Sequence, residues 1–134
     1  VSSVLDQAGV SDRTELLGTL DRQEKLQFLY ELDLFSVPAQ GPESMGLYEL
    51  EAMASGVPVV LPDEGVFPEL IGKGGGGFLY DPTDRDGLKS ALGVLLADPG
   101  FRERLGREGM ESASLHFSSE RMAKDTIAYY NRLA

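Results

Sequence analysis

The sequence predicts an α/β domain: a short parallel sheet with helices on both faces. Three observations carry this. Short apolar runs at 14–18, 34–38, 57–62 and 77–81 are bounded by glycine, proline or aspartate, as strands are. The stretches between them keep apolar residues at helical spacing. Strand and helix alternate along the chain, so consecutive strands are joined by crossovers and run parallel.

Residues 2 to 9 read as the tail of a helix. "TELLG" at 14–18 is an apolar run ending in glycine, hence a first strand. "DRQEKLQFLYEL" at 21–32 opens with a capping box: Asp21 can accept from the amide of Glu24, whose carboxylate reaches back. Leu26, Leu29 and Leu32, with Phe28, keep helical spacing there. "LFSVP" at 34–38 is a buried-type strand closed by proline. The loop "AQGPES" leads to a helix from about Gly46 to Ser55, with Gly56 suited to its C-terminal end and "VPVVLP" at 57–62 as the next strand. "GVFPELIG" at 65–72 is a short helix and "GFLYD" at 77–81 a last strand. Thr83 and Asp86 suggest a second capping box, for a helix over 84–97 whose apolar stripe is Leu88, Ala91, Leu92, Leu95 and Leu96. Asp98-Pro99 restarts a helix with proline at its first position, and Ser118 or Ser119 caps the last one, which ends near Leu133.

Composition narrows the function. At 134 residues the chain fits one domain able to bury a core. With 22 acidic against 12 basic residues, the net charge of −10 opposes binding to nucleic acid or anionic lipid. No apolar run of membrane-spanning length occurs. The absence of cysteine removes disulfides, thiol catalysis and thiolate metal sites, and fits a reducing compartment such as the cytoplasm. The chain opens on Val1 with no signal-peptide pattern, which suggests a piece of a longer protein.

Two stretches resemble anion sites. "KGGGG" at 73–77 has the glycines of a phosphate cradle, but they precede a strand instead of a helix N-terminus, so they are expected to form a turn. The loop after Pro38 is better placed. It follows a strand, and Ser44-Met45-Gly46-Leu47 leads straight into a helix whose first amides lack internal partners. The helix dipole adds about half a positive charge there, and Gly46 lets a ligand approach the backbone. Such a site at the carboxyl end of a parallel strand suits a phosphate or diphosphate. Glu43 and Glu51 flank it, eight positions apart. Carboxylates repel phosphate but accept from paired hydroxyls, so they would face the sugars on either side of a sugar nucleotide's diphosphate. The plainer reading is that Glu43 complements the helix dipole and Glu51 is ordinary surface.

At this point the residues resemble a known family. "ESMGLYELEAMASGVPVV" with downstream "PELIGKGGGGFLYDP" is similar to the donor-binding core of retaining GT-B glycosyltransferases of family 4. Glu43 and Glu51 match that family's E-x7-E motif. "LLGTLDRQEKLQFLYELDLFSVP" upstream, and "FLYDPTDRDGLKSAL" and "HFSSERMAKDTIAYYNRL" downstream, extend the resemblance over essentially the whole chain. It implies a Rossmann-like three-layer fragment, the later portion of a GT-B C-terminal domain. Its donor contacts would be Glu43, Ser44, Met45, Gly46, Leu47, Glu51 and Leu20. Glu43 would touch the transferred sugar and count as catalytic without being a nucleophile. Amides of Gly46 and Leu47 would hold the diphosphate, Glu51 the ribose, and Leu20 would lie by the base. Met45 stands where the family usually has an aromatic residue. The family is metal-independent, so no metal and no cofactor beyond the nucleotide-sugar substrate is expected; the lone His116 is taken as structural or surface.

The resemblance also implies an N-terminal acceptor domain, which would bind an acceptor sugar or lipid-linked sugar, and two strands carrying an Arg and a Lys for the diphosphate. Neither lies in residues 1–134, and Arg22, Lys25 and Lys73 match no such position. The expectation is therefore a partial domain, inactive alone, from a cytoplasmic protein or one held at a membrane by its N-terminal domain. Four strands are expected near 14–17, 34–37, 57–61 and 77–80, the first separated from the second by the two absent strands. Open edges would then lead to self-association, strand exchange or a rearranged first strand. Three rival readings are a binding-only domain of the same fold, a sugar-nucleotide epimerase relative, and a signalling receiver domain. A parent lacking the N-terminal half would favour the first, and turnover without acceptor the second. The third needs an acidic pair and a phospho-accepting Asp at strand ends, whereas Asp33 is at a strand start.

Overall fold

The computed structural model describes residues 2–38, 41 and 43–133; residues 39, 40 and 42 of the expected loop 39–44 lie outside them. The order is α1 (Ser2–Ala8), a 3-10 turn (Ser11–Arg13), α2 (Arg22–Tyr30), β1 (Phe35–Ser36), α3 (Leu47–Ala54), β2 (Val59–Pro62), α4 (Phe67–Gly72), β3 (Gly77–Tyr80), α5 (Gly87–Ala97), α6 (Pro99–His116) and α7 (Ser119–Leu133). The strands form one parallel sheet in the order β1-β2-β3. Phe35 is in register with Val59, and Val59 with Gly77.

All four residues of β2 are buried, because helices cover both faces of the central strand. Alternation sorts its side chains. Val59 and Leu61 join Leu29, Ala52, Met53, Phe67 and Leu70, the core contributed by α2, α3 and α4. Val60 points the other way, to Ala91, Leu95 and Leu105 of α5 and α6. The expected three layers are present.

The capping box of α2 forms as its sequence requires. The Asp21 carboxylate accepts from the amides of Gln23 and Glu24, and the Glu24 carboxylate accepts from the Asp21 amide at 2.8 Å. Asp98 caps α6 by accepting from the Phe101 amide at 2.9 Å, and Ser118 caps α7 by accepting from Arg121 at 3.2 Å.

Three expectations need correction. Residues 14–17 form no strand; Leu16 and Leu17 are exposed. A strand persists only where its amides and carbonyls find a neighbour, and among the described residues β1 pairs with β2 alone. The second capping box does not form either. The Thr83 amide and hydroxyl both donate to Asp81 Oδ1, at 2.8 and 2.7 Å, so α5 starts later, at Gly87, with Asp86 making no side-chain cap. Finally, Leu96 is 58% exposed and stands outside the stripe formed by Leu88, Ala91, Leu92 and Leu95.

The glycine run before β3 is a turn, and its composition has a packing reason. A Cβ on Gly76, whose φ is +91°, would drive into the backbone of Gly109 on α6. Likewise a Cβ on Gly106 would overlap the carbonyl of Gly56, the residue just beyond α3. Both approaches are inside 3.0 Å, closer than side chains allow. Gly93 in α5 has open space around the same position. Urea unfolding should therefore separate two chemically identical changes. Gly106→Ala should destabilise by about 1–3 kcal/mol through overpacking against rigid backbone, whereas Gly93→Ala should stabilise by roughly 0.5–1 kcal/mol through helix propensity.

Candidate functional site

The head of α3 is assembled by the chain on either side of it. The Glu43 carbonyl accepts from the Val66 amide at 3.0 Å, tying the incoming loop to the start of α4. Gly46 is the N-cap, with φ 65° and ψ 34°, a left-handed conformation that glycine adopts without strain. Its carbonyl accepts from Leu50 at 3.0 Å, but among the described residues no side chain caps the helix. The first amides of α3 are thus left without the side-chain partner that Asp21 supplies to α2.

Glu43 lies just in front of this turn and is fully exposed to solvent. Its Oε1 accepts from the Ser44 amide at 2.9 Å and the Met45 amide at 3.1 Å. Those bonds, to Met45 first and Ser44 second, hold its carboxyl below the usual glutamate range. The carboxylate itself occupies part of the amide cluster that an external anion would use.

Glu51 lies one turn into α3. Its Oε1 accepts from Lys25 Nζ at 2.7 Å, an ion pair that bridges α3 and α2. Leu20, Asp21, Lys25, Tyr30 and Glu51 line a cavity of about 560 Å³ between those helices. Its mouth combines a carboxylate with apolar walls, a chemistry that accepts hydroxyl donors beside a flat apolar group. Met45 and Leu47 are exposed at the other end of the helix. Ser44, Met45, Gly46 and Leu47 therefore lie together at the α3 head with Glu43, while Leu20 and Glu51 meet in the adjoining cavity.

Sequence reasoning missed Glu49. It is only 1% exposed, and its Oε2 has no hydrogen-bond partner among the described residues. Burial pushes its carboxyl above the usual glutamate range; its own backbone amide opposes this, and the Glu43 charge adds to it. A signal was present: Glu49, Ala52 and Met53 follow i, i+3, i+4 spacing, and all three are buried on one helix face. The partnership of Lys25 with Glu51 had no local signal, since 26 residues separate them. His116 ends α6, exposed and edge-on to Phe117. Among the described residues no three His, Cys, Asp or Glu side chains gather where a metal could bind, and no helix is long and apolar enough to cross a membrane.

Residues 2–112 match the family described as Glycosyl transferases group 1. The chain belongs to that family. It is 33% identical over 130 residues to the MMP alpha-(1->4)-mannosyltransferase of Mycolicibacterium hassiacum, covering 96% of this chain and 31% of that protein. Against the lipopolysaccharide core biosynthesis mannosyltransferase LpcC of Rhizobium leguminosarum bv. viciae it is 35% identical over 127 residues, 94% of this chain and 35% of that one. In structure it is similar to sucrose-phosphate synthase of Thermosynechococcus elongatus, with TM-score 0.84 and 29% identity over 98% of this chain and 33% of the other. It also resembles the C-terminal domain of a glycosyl transferase group 1 family protein, LpcC, of Francisella tularensis, with TM-score 0.76 and 25% identity over 88% of this chain and 60% of that one. The fold is that of the C-terminal portion of a GT-B glycosyltransferase, and the chain spans about a third of the length of these curated relatives.

The two shifted carboxyls give opposite pH signatures. Glu43 titrates below the ordinary glutamate value of 4.5, so its contribution to stability is present above that value and lost as pH falls through its lowered midpoint. Glu49 titrates above 4.5, so the folded chain is favoured below that value and loses this advantage as pH rises through the raised midpoint. Carboxyl carbon NMR should order the midpoints as Glu43, then 4.5, then Glu49. Urea unfolding of Glu49→Gln should show a larger gain over wild type at pH 8 than at pH 5. A Glu49 midpoint at or below the ordinary value would contradict the burial argument.

Proposed function

We propose that this chain is the donor-binding portion of a retaining glycosyltransferase that moves a sugar from a nucleoside-diphosphate sugar to an acceptor. The observation that carries the reading is the uncapped, glycine-led head of α3 with a carboxylate on each side of it. The diphosphate sits before the amides of Gly46 and Leu47, where Ser44 and Met45 complete the turn. The base enters the α2–α3 cavity beside Leu20, and the ribose hydroxyls donate to Glu51. Lys25 engages Oε1 of Glu51, and a diol takes its other oxygen. Glu43 leaves the Ser44 and Met45 amides and accepts from hydroxyls of the transferred sugar.

In this reading the chemistry needs no metal. Positive charge develops at the anomeric carbon as the diphosphate departs, and the Glu43 carboxylate beside it gains strength in the transition state. The departing diphosphate receives the acceptor's proton, so Glu43 is an electrostatic residue and not a nucleophile. Residues 1–134 are a partial domain in this view. An acceptor domain and the strands bearing the cationic diphosphate ligands precede it in the complete enzyme.

Kinetics on the complete enzyme test the placement. Ribose contacts change little between ground and transition state, so Glu51→Ala should chiefly raise the donor KM. Glu43→Ala should chiefly lower kcat, by roughly 10²-fold or more. The reverse pattern would mean the donor lies the other way across α3.

The isolated chain should bind nucleoside diphosphates weakly and transfer nothing. One helix N-terminus contributes about 0.3–1 kcal/mol toward an exposed anion, against the roughly 5 kcal/mol that sub-millimolar affinity requires. Calorimetry that returned micromolar binding would contradict this. The open edges of β1 and β3 are also where the isolated chain would self-associate.

A further inference from the structure

Glu49 is the buried group that the donor site, as described, does not use. Its Oε2 lies 3.6 Å from where a Cβ on Gly46 would stand, directly beneath the residue that opens α3. Val66, just before α4, and Leu70 within it line the same spot, with side-chain carbons 3.4 and 3.3 Å from that position. A buried carboxyl beside apolar groups, without a partner among the described residues, is unfavourable in its charged form. It nevertheless occupies the third position of α3, from which a glutamate can turn back to the N-cap amide.

We propose that Glu49 couples anion binding at the head of α3 to the uptake of a proton, so that the site accepts an anion best when Glu49 is neutral. This rests on the reading of the α3 head as an anion site. The ionised carboxylate would place a negative charge just behind the amides that an anion must face. It would also compete for the Gly46 amide as a capping-box acceptor. The neutral form does neither. The coupling is reciprocal: a bound anion raises the affinity of Glu49 for its proton by the same factor that protonation raises affinity for the anion.

The neighbouring charges do not substitute for Glu49. Glu43 is the charge that acts on it, and it titrates on the opposite side of 4.5. On α4, Lys73 and Glu69 are paired with each other at 2.7 Å. On α6, Glu108 lies against Gly75, and His116 borders a groove with Leu47. On α2, Lys25 is engaged by Glu51. These groups are the same in wild type and in a Glu49→Gln variant, so the difference between the two isolates Glu49.

Sulfate is the probe, because it stays a dianion throughout the range used. Amide NMR shifts of Gly46, Leu47 and Tyr48 would follow sulfate titrations of this chain between pH 5 and pH 8. Wild-type affinity should fall at least about fivefold as pH rises, in line with usual coupling strengths. Glu49→Gln should hold its low-pH affinity across the range. Saturating sulfate should also move the carboxyl-carbon midpoint of Glu49 upward in the unmodified chain, a readout that survives if the variant folds poorly. Sulfate that binds both forms with the same pH profile, or that leaves the Glu49 midpoint unmoved, overturns the coupling while leaving the anion site intact. Sulfate that perturbs none of these amides at any pH overturns the anion site and the coupling together.

Discussion

The structure depends on how closely α6 lies against the turns on either side of β2. Gly106 meets the Gly56 carbonyl and Gly109 meets Gly76, at distances no side chain would permit. Gly56 follows α3 and Gly76 precedes β3, so one helix sets the position of both connections. The approach also brings Met53 of α3 against Gly109, within the core that holds Leu61 and Phe67. A small separation at the far end of α3 thus fixes where its head points. In a close-packed interior that separation cannot relax by much without shifting everything attached to it.

Along the head of α3, three glutamates meet three environments. Glu43 is bathed in water and satisfied by two backbone amides. Glu51 is paired with a lysine from another helix. Glu49 is enclosed and has an oxygen with no partner among the described residues. Hydrogen bonds favour the charged form of the first, and desolvation disfavours that of the third. Opposite shifts a few residues apart are how one short element can present both an acceptor and a neutral carboxyl at a single pH. In the proposed donor site, the first faces a sugar and the last sits behind a phosphate.

The cationic part of such a site is not conspicuous here. Lys25 and Lys73 are each engaged by a glutamate, and Arg102 donates to the Leu95 and Leu96 carbonyls at the end of α5. In the proposed donor site the anion is met by the backbone, through the oriented amides at the head of one helix. The chain belongs to the family described as Glycosyl transferases group 1 and spans about a third of the length of its curated relatives.

The sequence by itself determined the class of the fold, the helices with capping residues, and the family. Asp21 with Glu24 and Asp98 with Pro99 are capping patterns whose partners lie within a few residues, and the E-x7-E spacing is a pattern within one short stretch, so all three can be read locally. The tertiary structure decided what depends on distant partners. Residues 14–17 have a strand's composition, but pairing is made by a neighbour and the described chain supplies none. Thr83 is spaced for a cap, yet its hydroxyl is taken by Asp81 when the turn closes. Lys25 reaches Glu51 only because α2 packs beside α3. The placement of Glu49 was half legible: helical spacing puts it on the buried face, but its loss of access to water and of a partner for Oε2 among the described residues depends on what packs over that face. Desolvation is a property of everything that surrounds a group, and a sequence records its surroundings only when they are adjacent in the chain.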